Sequence, residues 1–347
     1  MNLDQASINK ALANTHMVNI LKASNNHKNI TNISAGLIKA VSDIYKYFEP
    51  SHYNGDLVVF STLDNSMFSL PKSEKIHFDK NLLITLNTKT ILIQNINNEL
   101  FLWKNANVKK ILENKNILFY YYKNKSECFY INNKRISIEP LTVSPSNFSI
   151  YYSELEEALK NYSIEKIYNS SCTRFKSTWA DKKQIYFCNK PEETIHLSLE
   201  EYLKNTLRGV EVSLEFNFKS KKQVDIRVHW VNVNRSAHIE IKWLGVSLDL
   251  NKRKKSTSYT KSRAIAGAQQ LKEYLDFASS DSPKIHTKGY LVIIDGRRKN
   301  TNKNIIKTIT EKNGYFYQSD EIIFPDKYSQ IINFEKPLRM FARPICH

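Results

Sequence analysis

The sequence predicts an α+β N-terminal domain followed by an α/β domain whose central mixed β-sheet is flanked by helices. Three observations carry this expectation. A helical stripe opens the chain, and short alternating segments follow from Asp56. Beyond Pro191 the pattern becomes helix, three strands, helix and strand. A chain of 347 residues has room for two domains. The second pattern begins at Pro191, so the division is drawn as 1–190 and 191–347.

In the first domain residues 1–50 read as helical, with Leu37, Val41, Ile44 and Phe48 forming a stripe behind a Ser34 N-cap. Strands are expected over 57–61, 81–86, 90–94 and 117–122. A hairpin over 128–131 and 136–139 turns at Asn132-Asn133-Lys134. Helices are expected over 108–113 and 153–162. The aromatic runs Phe119 to Tyr122 and Phe129-Tyr130 read as alternating core and edge positions of a sheet, although such rings could also stack on unpaired bases.

The second domain starts with a helix over 198–207, in which Ser198 is the N-cap and Glu201 completes a capping box. Residues 210–218 alternate, with Val210, Val212, Leu214, Phe216 and Phe218 on one face. Residues 224–233 do the same, with Val224, Ile226, Val228 and Trp230 on one face and Asp225 on the other. In a third strand over 237–244, Ile239, Ile241 and Trp243 share a face opposite His238, Glu240 and Lys242. A helix over 263–278 buries Ala264, Ala268, Leu271 and Leu275, and residues 289–295 form a strand buried on both faces. After that a helix over 305–311 and strands over 315–318, 321–324 and 338–345 are expected to complete or cover the sheet.

The chemistry lies on the second and third of these strands. Asp225, Glu240 and Lys242 are placed on faces that can meet, bringing two carboxylates and one ammonium to a common space. Paired carboxylates repel unless a positive charge lies between them, and hard oxygen donors with few protein ligands suit a magnesium ion that keeps its waters. Such an ion can activate water for phosphodiester hydrolysis while a lysine offsets developing charge. The same three side chains could instead form an exposed cross-strand salt bridge, which leaves the flanking helices unexplained.

These residues resemble the PD-(D/E)XK nuclease superfamily, whose signature is a strand Asp followed on the next strand by an acidic-x-Lys tripeptide. Here it reads Val224-Asp225-Ile226 and Ile239-Glu240-Ile241-Lys242. Gln270-Leu-Lys-Glu-Tyr274 looks like the Gln-x-x-x-Tyr motif of the RecB-like branch, with both residues on one helical face. The resemblance covers about 191–295 and implies a restriction-endonuclease-like fold. It also implies a magnesium cofactor, for which manganese can substitute. Asp225, Glu240 and the carbonyl of Ile241 would then hold the metal, with Glu200 of the preceding helix as a further ligand in preference to Glu201. Lys242 would assist the attacking water, and Gln270 and Tyr274 would position that lysine or the DNA backbone. The implied role is a DNA endonuclease of restriction or anti-phage defence. A binding module without catalysis, or an RNase or junction nuclease on the same scaffold, are the alternatives.

The formal charge of +17 favours a polyanionic partner. Lys252, Arg253, Lys254 and Lys255, and Arg297 and Arg298 before Lys299, could track a phosphate backbone. His238 and His229 share faces with Glu240 and Asp225 and are expected to pack or support. Four cysteines show no Cys-x-x-Cys spacing and read as reduced thiols. No apolar run has the length of a membrane span and no signal segment is evident, so a soluble, cytoplasmic protein without membrane partners is expected. DNA is the expected partner, and the domain plan is compatible with a homo-oligomer or a regulatory partner protein.

Overall fold

The computed structural model describes residues 5–24, 29–48, 55–69, 74–79, 90–104, 109–124, 126–138, 146–149, 151–207, 209–217, 223–230, 233–249, 254–283, 285–301, 307–331 and 333–347. It is mixed α/β, with two mixed sheets flanked by helices. The chain forms two compact units, Met1–Ser153 and Glu154–His347. Pro191 therefore lies inside the second unit, which begins well before the nuclease-like pattern.

In the first unit, α1 (Gln5–Ala23) and α2 (Ile30–Tyr45) precede β1 (Asp56–Thr62), β2 (Glu74–His77), β3 (Thr90–Ile96) and β4 (Glu99–Lys104). A single turn, α3 (Lys109–Leu112), leads to β5 (Ile117–Lys123), β6 (Ser126–Ile131) and β7 (Lys134–Ser137). The strand order is β2-β4-β3-β1-β5-β6-β7, with only β1 and β3 parallel. Alternation divides the side chains between two cores. Leu57, Val59, Tyr120 and Tyr122 pack with the α2 stripe Leu37, Val41 and Ile44, while Val58, Phe60 and Phe119 pack with Ile111 on the other side. The aromatic runs are thus mainly core, and Phe119 stacks on Tyr130 at 4.8 Å.

Ser34 is not a cap. α2 already starts at Ile30 behind Asn29, whose φ of 71° is left-handed, and Ser34 is buried within the helix. The hairpin turn is Asn132-Asn133, both left-handed (φ 51° and 60°), as a tight two-residue connection requires. The strand expected over 81–86 lies outside the described residues.

The second unit opens with α4 (Tyr151–Tyr162), a π-helical turn (Ser163–Ile167), α5 (Thr173–Lys176), the short β8 (Phe187–Cys188) and α6 (Glu192–Thr206). β9 (Val210–Asn217), β10 (Gln223–Trp230) and β11 (Arg235–Asp249) form an antiparallel meander. β12 (Lys254–Tyr259) pairs with the far half of β11, as does β8. The crossover helix α7 (Lys261–Asp281) then returns the chain to β13 (His286–Asp295), parallel to β11. After α8 (Glu311–Gly314), β14 (Leu338–Phe341) adds a further parallel strand. The main order is β14-β13-β11-β10-β9. Ala264, Ala268, Leu271 and Leu275 of α7 pack on Leu244, Leu291 and Ile293.

Several boundaries differ from the expectation. α6 begins at Glu192, where Pro191 and two acidic residues start the first turn favourably. Ser198 is buried mid-helix, accepting the Tyr162 hydroxyl at 2.9 Å, so no capping box forms. Residues 315–318 are a turn and 321–324 are irregular, because the Arg339 guanidinium ties this segment down through the carbonyls of Tyr317, Gln318 and Asp320. The last strand stops at Phe341, ahead of Pro344. Of the helix expected over 305–311, residues 305 and 306 lie outside the described residues and 308–310 are irregular. All four cysteines are free. No helix among the described residues is long and apolar enough to cross a membrane.

Candidate active site

Register assembles the site. β10 and β11 pair through Arg227↔His238 and Ile226↔Ile239, and one step further the same register sets Asp225 opposite Glu240. There the ladder opens, and Asp225 Oδ2 accepts the Ile241 N–H at 2.7 Å. Glu240 and Lys242 lie on the face of β11 that also carries Leu244, which packs under α7. The helix therefore covers them, and Glu240 is 1% and Lys242 5% exposed. An exposed surface salt bridge is excluded by that burial.

Lys242 Nζ pairs with Glu240 Oε1. The other carboxylate oxygen, Oε2, is buried with no hydrogen-bond partner among the described residues. Burial first, and then the neighbouring Asp225, push the Glu240 carboxyl up to about 8; Lys242 and Arg263 oppose that rise. Glu240 is thus a buried acid beside a second carboxylate, with one oxygen unpartnered among the described residues, and Lys242 and Arg263 offset only part of the effect of burial and Asp225.

α7 shapes the space above. Gly267 lets the Lys242 side chain pass, since a Cβ there would stand 2.6 Å from Lys242 Cγ. Tyr274 is buried, and burial together with the charges of Glu240 and Asp225 raises its phenol, so it belongs to the carboxylate environment. Gln270 is half-buried one turn earlier on the same helix. Arg263 stacks on Tyr259 at 4.7 Å and reaches Glu192 at 3.2 Å.

α6 contributes a residue that the sequence reading missed. His196 Nε2 lies 3.7 Å from Asp225 Oδ2. It is four residues before Glu200, and starting the helix at Glu192 would have brought it into view. Glu200 pairs with Lys204 at 2.6 Å, and Glu201 with Arg174 at 2.8 Å. Among the described residues no three His, Cys, Asp or Glu side chains gather as a metal cage. Asp225 and Glu240 are thus neighbouring carboxylates, and His196 approaches Asp225 without completing a three-residue cluster.

The basic segments divide. Lys252 and Arg253 lie outside the described residues. Lys254 is exposed on β12, whereas Lys255 is half-buried, with its ammonium lowered by burial. Arg297 and Arg298 are not a phosphate-tracking surface. Arg297 makes two bonds to the Asp295 carboxylate, at 3.0 and 2.7 Å, and reaches Asp320 at 3.1 Å. Arg298 is buried over Trp179, with Gln184 and Ala342 carbonyls as acceptors. A charge run reads as surface only until internal partners claim it. His238 is buried beside Arg227, and burial holds its imidazole down at about 3. His229 is lowered by the same cause.

No protein-family model, curated protein or solved structure matches this chain.

Proposed function

We propose that the second unit is a magnesium-dependent nuclease that hydrolyses DNA phosphodiester bonds. The observation that carries this reading is the buried Glu240, its Oε2 without a partner among the described residues, beside Asp225 and paired with Lys242. A purely structural ion pair gains nothing from a second carboxylate and an unsatisfied oxygen. The chain order supports the PD-(D/E)XK resemblance: helix, antiparallel meander with Asp then Glu-x-Lys, crossover helix with Gln270 and Tyr274, and a parallel strand.

The donor set fits a hard divalent cation. Asp225, Glu240 and the Ile241 carbonyl would hold magnesium or manganese, with Glu200 or His196 of α6 completing the set. Once bound, the ion would polarise a phosphoryl oxygen and favour ionisation of a water. Lys242, fixed by Gly267 and Glu240, would orient that water and offset charge on the transferred phosphoryl oxygens. Tyr274, held protonated, can donate to the substrate or to the lysine's surroundings, and Gln270 would steady the strand backbone. The excess of basic residues would draw in the polyanion. By analogy of fold the setting is restriction or anti-phage defence.

The test is incubation of the full chain with duplex DNA, single-stranded DNA and RNA, with magnesium, manganese or chelator. Metal-dependent cleavage of DNA supports the reading, and cleavage of RNA alone moves the substrate class. Binding that survives chelation, with no product under any metal, would make this a nucleic-acid-binding module instead.

A further inference from the structure

The first unit contains a pocket of about 140 Å³ between the start of α2 and the ends of β1 and β3. Its floor is Ile33, Ser61 and Asn95, all buried, and its rim carries Asn32, Asn97 and Asn98, all exposed. Asn95 Nδ2 donates to Ser61 Oγ at 3.1 Å, but Asn95 Oδ1 is buried without a partner among the described residues. A buried amide oxygen lacking a donor is costly, and a ligand N–H would relieve it. Asn97 of the rim is tied to Asn65: the two bond through their side-chain amides, and Asn65 Oδ1 also accepts the Asn97 N–H at 3.3 Å. Gly36 keeps the interior open, because a Cβ there would touch Asn95 Nδ2 and Asn98 Oδ1 at 3.4 Å, and a larger side chain would grow between them.

Among the described residues no charged side chain lines the space, so none of them matches an anion or a metal ion. What lines it is amides, which present a donor and an acceptor side by side. That is the complement of a nucleobase edge, as in the pairing of Asn with adenine. Ile33 offers an apolar wall to a ring face, and the volume is near the ~150 Å³ that holds a benzene-sized ring, enough for a pyrimidine or for the six-membered edge of a purine. We propose that this pocket binds a nucleobase, either of a free nucleoside or nucleotide or of an unstacked base in a single strand. The proposal goes beyond the nuclease reading and does not depend on it.

The experiment uses the full chain in chelator. Adenosine, guanosine, cytidine and thymidine are titrated by calorimetry and ligand-observed NMR to about 5 mM, with glucose as a polyol control, and a short single-stranded oligonucleotide is titrated separately. Wild type is compared with Gly36→Val, which fills the pocket, and with Asn95→Leu, which removes the partnerless oxygen. Gly36→Ala, acceptable in a helix, replaces Gly36→Val if that variant loses its native circular dichroism. The expected result is saturable binding of at least one nucleoside, weakened at least about tenfold in the variants. A tenfold loss seen only with the oligonucleotide assigns the occupant to a strand. The proposal is overturned if neither ligand distinguishes wild type from the variants, or if glucose binds as well as the nucleosides.

Discussion

The Lys242 side chain lies directly against the main chain of Gly267, where a Cβ would stand 2.6 Å from its Cγ and 3.1 Å from its Cε. Glycine inside a helix costs about 1 kcal/mol relative to alanine, so this position is held by its neighbour rather than by helix propensity. Gly267→Ala should improve the helix but push the lysine stem off Glu240. The expected outcome is a cleavage rate lower by at least about tenfold with helix content unchanged, read by single-turnover kinetics and circular dichroism.

Glu240 gives a pH signature. Its carboxyl is raised from 4.5 to about 8 by burial and by Asp225. The folded protein therefore retains a proton that the unfolded chain releases across that window. Its stability contribution is complete below about pH 4.5 and lost as pH rises towards 8. In chelator, Tm should fall by several degrees between about pH 5 and 8, since about 1 kcal/mol moves a domain of this size by roughly 2–4 °C. Glu240→Gln should flatten that slope, and magnesium should offset the fall at the alkaline end.

His196 stands 3.7 Å from Asp225 without being part of the sequence signature. His196→Ala should leave the unfolding free energy within about 1 kcal/mol of wild type, as expected of a partly exposed side chain. It should raise the magnesium concentration needed for half-maximal cleavage by about tenfold or more. A metal titration of the cleavage rate reads this directly, and full activity at unchanged magnesium demand would remove His196 from the site.

Arg298 separates a structural from a binding role. Its removal strands the carbonyls of Gln184 and Ala342 and empties the space over Trp179. Arg298→Ala should destabilise by about 2–4 kcal/mol in denaturant unfolding, while the salt dependence of DNA binding stays unchanged. Lys254→Ala, on the exposed strand, should leave stability within about 0.5 kcal/mol.

The period-two pattern made the β10 and β11 faces legible, and Asp225, Glu240 and Lys242 stand on the sides that alternation indicates. Their burial was not legible, because it comes from α7 packing across β11 after a crossover that no local pattern encodes. Ser198 misled for a related reason: a serine before a helical run looks like a cap, yet Tyr162 engages its hydroxyl inside the helix. That misplaced start concealed His196. Arg297 and Arg298 read as able to track a phosphate backbone because Asp295, Asp320 and Trp179 approach them only in three dimensions. The missed β2 is a short, polar edge strand without an apolar face to announce it.

The most direct measurement is plasmid cleavage by wild type and Lys242→Met, each with magnesium and with chelator. The site described predicts cutting by wild type with magnesium alone, and a loss of at least about a hundredfold in the variant. Equal cutting by the two proteins, or cutting that persists in chelator, would contradict the account of Asp225, Glu240 and Lys242 as a metal-dependent catalytic centre.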